Sequence, residues 1–191
     1  CSWMNVTIDD TSLALLCQRA ENEAAGAPCG FMDQMTSVYG QPGKLLFLQC
    51  QGPQPRLQLV SLPAGLRLYA LDSGVKHSVA GNAYSSTRAA AFMGRRILQR
   101  RLGTLISPWK CLAELEEGLV QSDQVLAHLP CEMSGKNFIE MYGTHDDPAS
   151  LVHATATYSV RAATLHPVLE NARVLRARQL LLWLQDSSTA S

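Results

Sequence analysis

Two stretches of the sequence gather side chains able to do chemistry. The first, Ala27-Pro28-Cys29-Gly30-Phe31-Met32-Asp33-Gln34, leads from a turn into an apolar helix with a carboxylate in its first turn. A helix N-terminus carries partial positive charge and unpaired N–H donors, which favour an ionised aspartate. Asp33 is thus a standing anion that could orient or deprotonate a hydroxyl, or could simply complement the helix dipole on the surface. The second stretch, Asp72-Ser73-Gly74-Val75-Lys76-His77-Ser78 and on to Tyr84, sets small, basic and hydroxyl groups in a loop after a strand. Such loops often carry function. A solvated turn with a helix cap is the plainer reading, and His77 alone fits a hydrogen-bonded structural histidine. His145-Asp146-Asp147 has residue types suited to a metal, but three neighbours on a loop rarely all face one ion. The six cysteines form no CxxC pair and no zinc-knuckle spacing, so reduced and mostly buried thiols are expected.

The elements that must position these groups follow from periodicity. Residues 11–23 place Leu13, Leu16, Cys17, Ala20 and Ala24 on one helical stripe, capped by Asp9 or Asp10, with Glu21 off the stripe. That helix stops in Gly26-Ala27-Pro28. Residues 31–39 predict a second helix ended by Gly40, and residues 45–50, 56–62 and 66–71 predict strands. A long helix follows over 84–105, with Ala89, Phe92, Met93, Ile97 and Leu102 on one side and a basic face between Arg95 and Arg101. One or two short helices are expected over 108–129, a small helix near Phe138, a final helix over 168–184, and a polar tail. Helices and strands in blocks predict an α+β class. Sixteen basic residues balance sixteen acidic ones, which argues against a binder of nucleic acid. A 47% hydrophobic content argues against disorder. No apolar run is long enough for a membrane-spanning helix, and no secretory signal is visible.

Leu15-Leu16-Cys17-Gln18-Arg19-Ala20-Glu21-Asn22-Glu23, followed by residues 26–35, resembles the middle of galactokinases, members of the GHMP superfamily of small-molecule kinases. Residues 45–50 look like that family's next strand. Asp72 to Ser78, with Tyr84, resembles its D-S-G-V-K-H-S strand and loop. Arg88-Ala-Ala-Ala-Phe-Met-Gly-Arg95 and the stretches 133–148 and 164–174 are similar to the plant-type L-arabinokinase branch. The resemblance implies the central part of a two-lobed GHMP kinase fold. Residues 1–80 would end the N-terminal lobe and hold the catalytic Asp. Residues 81–191 would form the helical start of the C-terminal lobe.

The activity it implies is ATP-dependent phosphorylation of a monosaccharide at the anomeric hydroxyl, giving a sugar 1-phosphate, with L-arabinose ahead of D-galactose. Asp33 matches the proposed base. Cys29, Gly30 and Tyr84 match sugar-binding positions. Glu21 matches an acidic residue near the nucleotide and its Mg2+, or the partner of Lys76, itself at a basic family position. ATP and Mg2+ are the implied cofactors. The expected protein is a cytoplasmic monomer with no nucleic-acid or membrane partner.

The departures from the family weigh as much. Neither the family's G-E-H-x-D-Y-like stretch nor its Ser-rich phosphate loop is present, and the Gly-rich C-terminal motif is missing. The chain therefore reads as an incomplete, poorly active section of a kinase. The other reading is a non-catalytic sugar sensor or decayed remnant on the same scaffold. A section of this kind should leave apolar surface uncovered along residues 13–20 and 175–182.

Overall fold

A computed structural model of the chain describes residues 7–26, 29–50, 55–63, 65–75, 82–103 and 111–189. It mixes helices with two small antiparallel sheets, the expected α+β class. Two compact units divide the chain: Cys1–Ala80 with Arg176–Ser191, and Gly81–Leu175. Among the described residues no helix is long and apolar enough to cross a membrane.

In the first unit, α1 (Asp10–Glu23) begins where the Asp9 carboxylate accepts from the Ser12 N–H at 2.9 Å. Ala14 is fully buried, while Leu16, Cys17 and Ala20 are exposed. Hydrogen bonds set this rotation: the Thr11 and Tyr39 hydroxyls meet at 2.6 Å, and Gln18 and Asn22 bind the loop ahead of α2. Helix α2 (Met32–Tyr39) closes on Gly40, whose N–H returns to the Thr36 carbonyl at 2.9 Å. Strands β1 (Lys44–Gln49) and β2 (Arg56–Ser61) pair from Lys44↔Ser61 to Gln49↔Arg56. The strand expected over 66–71 does not form. A strand needs a neighbour's N–H and C=O groups, no ladder bonds reach this segment, and Leu66, Leu68, Tyr69 and Leu71 are exposed.

The second unit holds the main core. Helix α3 (Asn82–Leu102) buries Ala89, Met93 and Ile97 on the predicted side. A 3-10 turn at Leu112–Glu114 and helices α4 (Glu117–Val120) and α5 (Asp123–Leu126) occupy the region expected to hold one or two short helices. Strand β3 (Met133–Ser134) pairs with β4 (Thr157–Tyr158) and leads into α6 (Gly135–Tyr142), the small helix expected near Phe138. The last helix, α7 (Val160–Thr189), starts well before the predicted 168 and runs into the expected polar tail. Pro167 removes one N–H from its ladder. The flanking Val160, Ala163, Thr164 and Val168 are all buried, and that burial carries the helix across the proline. From Arg176 onward α7 belongs to the first unit, where Arg178 bonds Gln58 at 2.8 Å and lies 5.0 Å from the Phe47 ring centroid. Gln185 donates to the Ser61 carbonyl at 2.5 Å.

Leu16, Leu175 and Leu180 are exposed, as expected for uncovered apolar surface along those segments. The cysteines differ from expectation. The five described are free, but Cys17, Cys50 and Cys131 are exposed and Cys29 and Cys111 only partly buried.

The basic face of α3 is split, because Arg95 and Arg101 turn to separate partners. Arg95 pairs with Asp146 at 3.2 Å, and Arg101 reaches the Tyr142 hydroxyl at 3.3 Å. Asp147, 6% exposed, takes a two-pronged grip from Arg88 at 2.7 and 2.9 Å and a hydrogen bond from Ser150 at 2.6 Å. His145 accepts the Asp147 N–H on Nδ1 at 3.2 Å and packs by Phe92, ring centroids 5.9 Å apart. The three side chains therefore serve three separate contacts, and no His, Cys, Asp or Glu cluster suited to a metal exists among the described residues. Burial pushes the Asp147 carboxyl up, but the bonds from Arg88, Ser150 and the Ala149 N–H outweigh it and hold it at about 2.

Two outcomes follow for stability. A Cβ at Gly94 would overlap the Thr164 side chain, with the Thr164 Cβ only 2.9 Å away. Gly94→Ala therefore lowers stability in urea unfolding by about 1–3 kcal/mol, despite alanine's better helix propensity. The carboxylate form of Asp147 contributes about 2 kcal/mol above pH ~4, a contribution lost as pH falls toward about 2. The stability gap between the wild type and Asp147→Asn should narrow over that window in urea titrations, and an unchanged gap would contradict the assignment.

Candidate active-site cleft

The candidate site is built at the corner between α1 and α2. The chain leaves α1 through Gly26, at φ +66°, a left-handed conformation that glycine adopts without steric cost. It is recaptured at Cys29, whose backbone is bound at both ends by α1. The Cys29 N–H donates to the Asn22 side-chain oxygen at 3.0 Å, and Gln18 Nε2 donates to the Cys29 carbonyl at 3.1 Å. Two further donors converge on one Glu21 oxygen. These are the Cys29 thiol at 3.0 Å and Gln34 Nε2 at 2.7 Å. The hydrogen bond to Glu21, then partial burial, raises the Cys29 thiol above its ordinary range. Cys29 therefore keeps its proton at neutral pH and serves as a donor, not a nucleophile.

Helix α2 starts without a side-chain cap at Phe31 and carries Asp33 in its first turn, as the sequence predicts. Asp33 is exposed, and among the described residues its carboxylate makes no hydrogen bond or ion pair. A cleft of about 270 Å³ runs between the two helices. Glu21, Asp33, Gln34 and Ser37 line it, with Leu13 and Ala14 behind them. Gln34 is 9% exposed, and its Oε1 has no partner among the described residues.

Of the residues singled out from sequence, Glu21 and Cys29 are directly bonded, and Asp33 lines one cleft with Glu21. Gly30 has a negative-φ backbone and open space where a Cβ would stand, so no neighbouring atom requires glycine there. Tyr84 stands on α3 in the other unit, half-buried, where its hydroxyl joins Asp147 (the larger influence) in raising the Arg88 guanidinium. Lys76, His77 and Ser78 lie outside the described residues, so the Glu21–Lys76 pairing does too. Asp72 forms a tight turn by accepting from the Gly74 N–H at 2.8 Å. Gln18, Asn22 and Gln34 were not legible as site residues. The available signal was the spacing of Gln18, Glu21 and Asn22, which puts three polar groups on one helix face.

Residues 1–41 match the family model described as GHMP kinases N terminal domain. An L-arabinokinase of Arabidopsis thaliana is 38% identical across 92% of this chain and 19% of its own length. A galactokinase of Chloroflexus aggregans is 39% identical across 49% of the chain and 23% of its own length. A galactokinase of Streptomyces coelicolor is 42% identical across 45% of the chain and 22% of its own length. The matched region thus spans about a fifth to a quarter of these relatives. On these matches the chain is similar over most of its length to an L-arabinokinase and over about half of it to galactokinases, and its first 41 residues match the GHMP kinase N-terminal domain.

Proposed function

We propose that the full-length protein transfers the γ-phosphoryl group of ATP to the anomeric hydroxyl of a monosaccharide, L-arabinose or alternatively D-galactose. The observation that carries this reading is the pair of carboxylates, Glu21 and Asp33, on one cleft, with Asp33 unpartnered among the described residues. In such a transfer the sugar oxygen forms a bond to phosphorus, the bond to the ADP oxygen breaks, and the hydroxyl proton must go to a base. Asp33 is that base in this reading. Its exposure at a helix start leaves it accessible to a ligand. Cys29, Gly30 and Tyr84 are assigned to the sugar. Open space at Gly30 would admit a close ligand.

Magnesium binds through one or two carboxylates plus phosphate oxygens. Glu21 fits such a partial set, since both its donors meet one carboxylate oxygen. It would hold the ion, with Lys76 also assigned to the nucleotide. Bound there, the ion would neutralise charge on the phosphates. The preference for L-arabinose rests on the likeness to the L-arabinokinase across 92% of the chain, not on any identified wall of the sugar pocket.

Two substitutions in the full-length protein test these roles. Asp33→Asn should lower kcat about 100-fold or more while leaving the unfolding midpoint unchanged, because the carboxylate holds nothing else in place. Full activity in that variant would remove Asp33 as the base. Glu21→Gln still accepts from Cys29 and Gln34 but carries no charge. It should raise the Mg2+ concentration for half-maximal rate about tenfold. A purely structural Glu21 would leave that concentration unmoved.

A further inference from the structure

We infer that Gln34 is a substrate-binding residue whose side-chain carbonyl accepts a hydrogen bond from a hydroxyl of the sugar. This inference rests on the kinase reading and deepens it. The orientation of the Gln34 amide is fixed by its neighbour. Glu21 is a carboxylate and can only accept, so the amide must turn its NH2 to it, as the 2.7 Å contact has it. The carbonyl Oε1 is then left over. It is enclosed, and it has no partner among the described residues. A buried acceptor without a donor is costly, and native structures keep few of them. Gln34 lines the cleft that also holds Asp33 and Glu21, so a molecule that enters the cleft and displaces the groups covering Oε1 can supply the missing donor.

The chemistry of the cleft selects which molecule. Its polar lining is Glu21, Asp33, Gln34, Ser37 and Cys17, among which the two carboxylates only accept. The phosphates of a nucleotide can meet Glu21 through Mg2+, but they offer no donor to the Gln34 carbonyl. A neutral polyol offers several O–H donors. Gln34 also follows Asp33 directly on α2, so the residue proposed to face the reacting hydroxyl and the residue proposed to face a second hydroxyl are carried by one helical turn. Because both sit on a single rigid element, the second contact would set which hydroxyl meets Asp33.

The test uses the full-length protein and steady-state kinetics. Gln34→Met keeps the length of the side chain and removes the amide. It should raise KM for the sugar about tenfold and change KM for ATP by less than twofold. A series of monodeoxy sugars supplies the readout that a structural role would not move. Wild type should bind one deoxy analogue about tenfold more weakly than its parent, and Gln34→Met should bind that analogue and the parent alike. If sugar and ATP KM rise together, or if every deoxy analogue keeps its penalty in the variant, the inference is overturned. Should Gln34→Met fail to fold, Gln34→Asn withdraws the carbonyl by one methylene and is judged on the same ratio. Sugar-induced shifts in melting temperature, read without ATP, separate this inference from the kinase reading. A wild type that is stabilised by sugar but shows no turnover sinks the kinase reading, while loss of the shift in Gln34→Met still supports the subsite. Turnover with an unchanged variant sinks the subsite alone.

Discussion

The geometry of the cleft depends on how Cys29 is held. Gly26 lets the chain turn away from α1. The return is made by Gln18 and Asn22, which bind the Cys29 carbonyl and N–H, and by Glu21, which takes the thiol. All three come from the last two turns of α1, so the start of α2 is registered against the end of α1. Asp33 lies four residues beyond the clasped residue, and Gln34 closes the arrangement by donating to the same Glu21 oxygen. One carboxylate thus fixes the corner twice, through the loop and through the helix.

This corner is polar because its unit has little core to spend on it. Among the described residues, Ala14, Met35 and Val60 are the buried apolar side chains of the first unit. The second unit buries a continuous cluster from Ala89 to Val168 that includes Phe138, Tyr158 and Leu129. Apolar burial is non-directional and tolerates small displacements of side chains. Hydrogen bonds between a few fixed groups do not, since they weaken steeply with angle. A site that must place two carboxylates on one small cleft gains more from direction than from buried area. The second unit shows the opposite solution, in which bulk burial sets the frame and the Arg88–Asp147 pair pins one loop within it.

Much of this fold was legible where local rules act alone. Gly26 and Gly40 bracketed the corner, the apolar spacing of Ala89, Met93 and Ile97 identified the inner side of α3, and the helix start at Asp33 followed from the turn before it. The failures share a cause: each depended on a distant partner. The face that α1 turns inward was not legible, because polar pairs 7 to 28 residues apart fix its rotation. Residues 66–71 carry strand-like residues but no ladder. Residues 160–167 joined α7 because tertiary burial outweighed the lost proline hydrogen bond. At the site, Asp33 was legible from its helix position, whereas Gln34 was not, since its significance lies in an unpaired atom that only three-dimensional enclosure reveals.

The clasp also bears on how the corner can move. Elements held by exposed hydrogen bonds and little buried apolar surface open locally at lower cost than elements within a core. The clasping groups Glu21 and Cys29 are only partly buried or exposed, whereas the α3 face opposite Thr164 is sealed. Opening at the α1–α2 corner therefore needs the loss of a handful of hydrogen bonds, each worth about 0.5–1.5 kcal/mol net. A donor-bearing molecule that satisfied Gln34 and bridged the two carboxylates would add contacts only in the closed form. By mass action it would stabilise that form. A molecule that supplied a donor to the unpaired carbonyl would thus favour the corner in the arrangement described here.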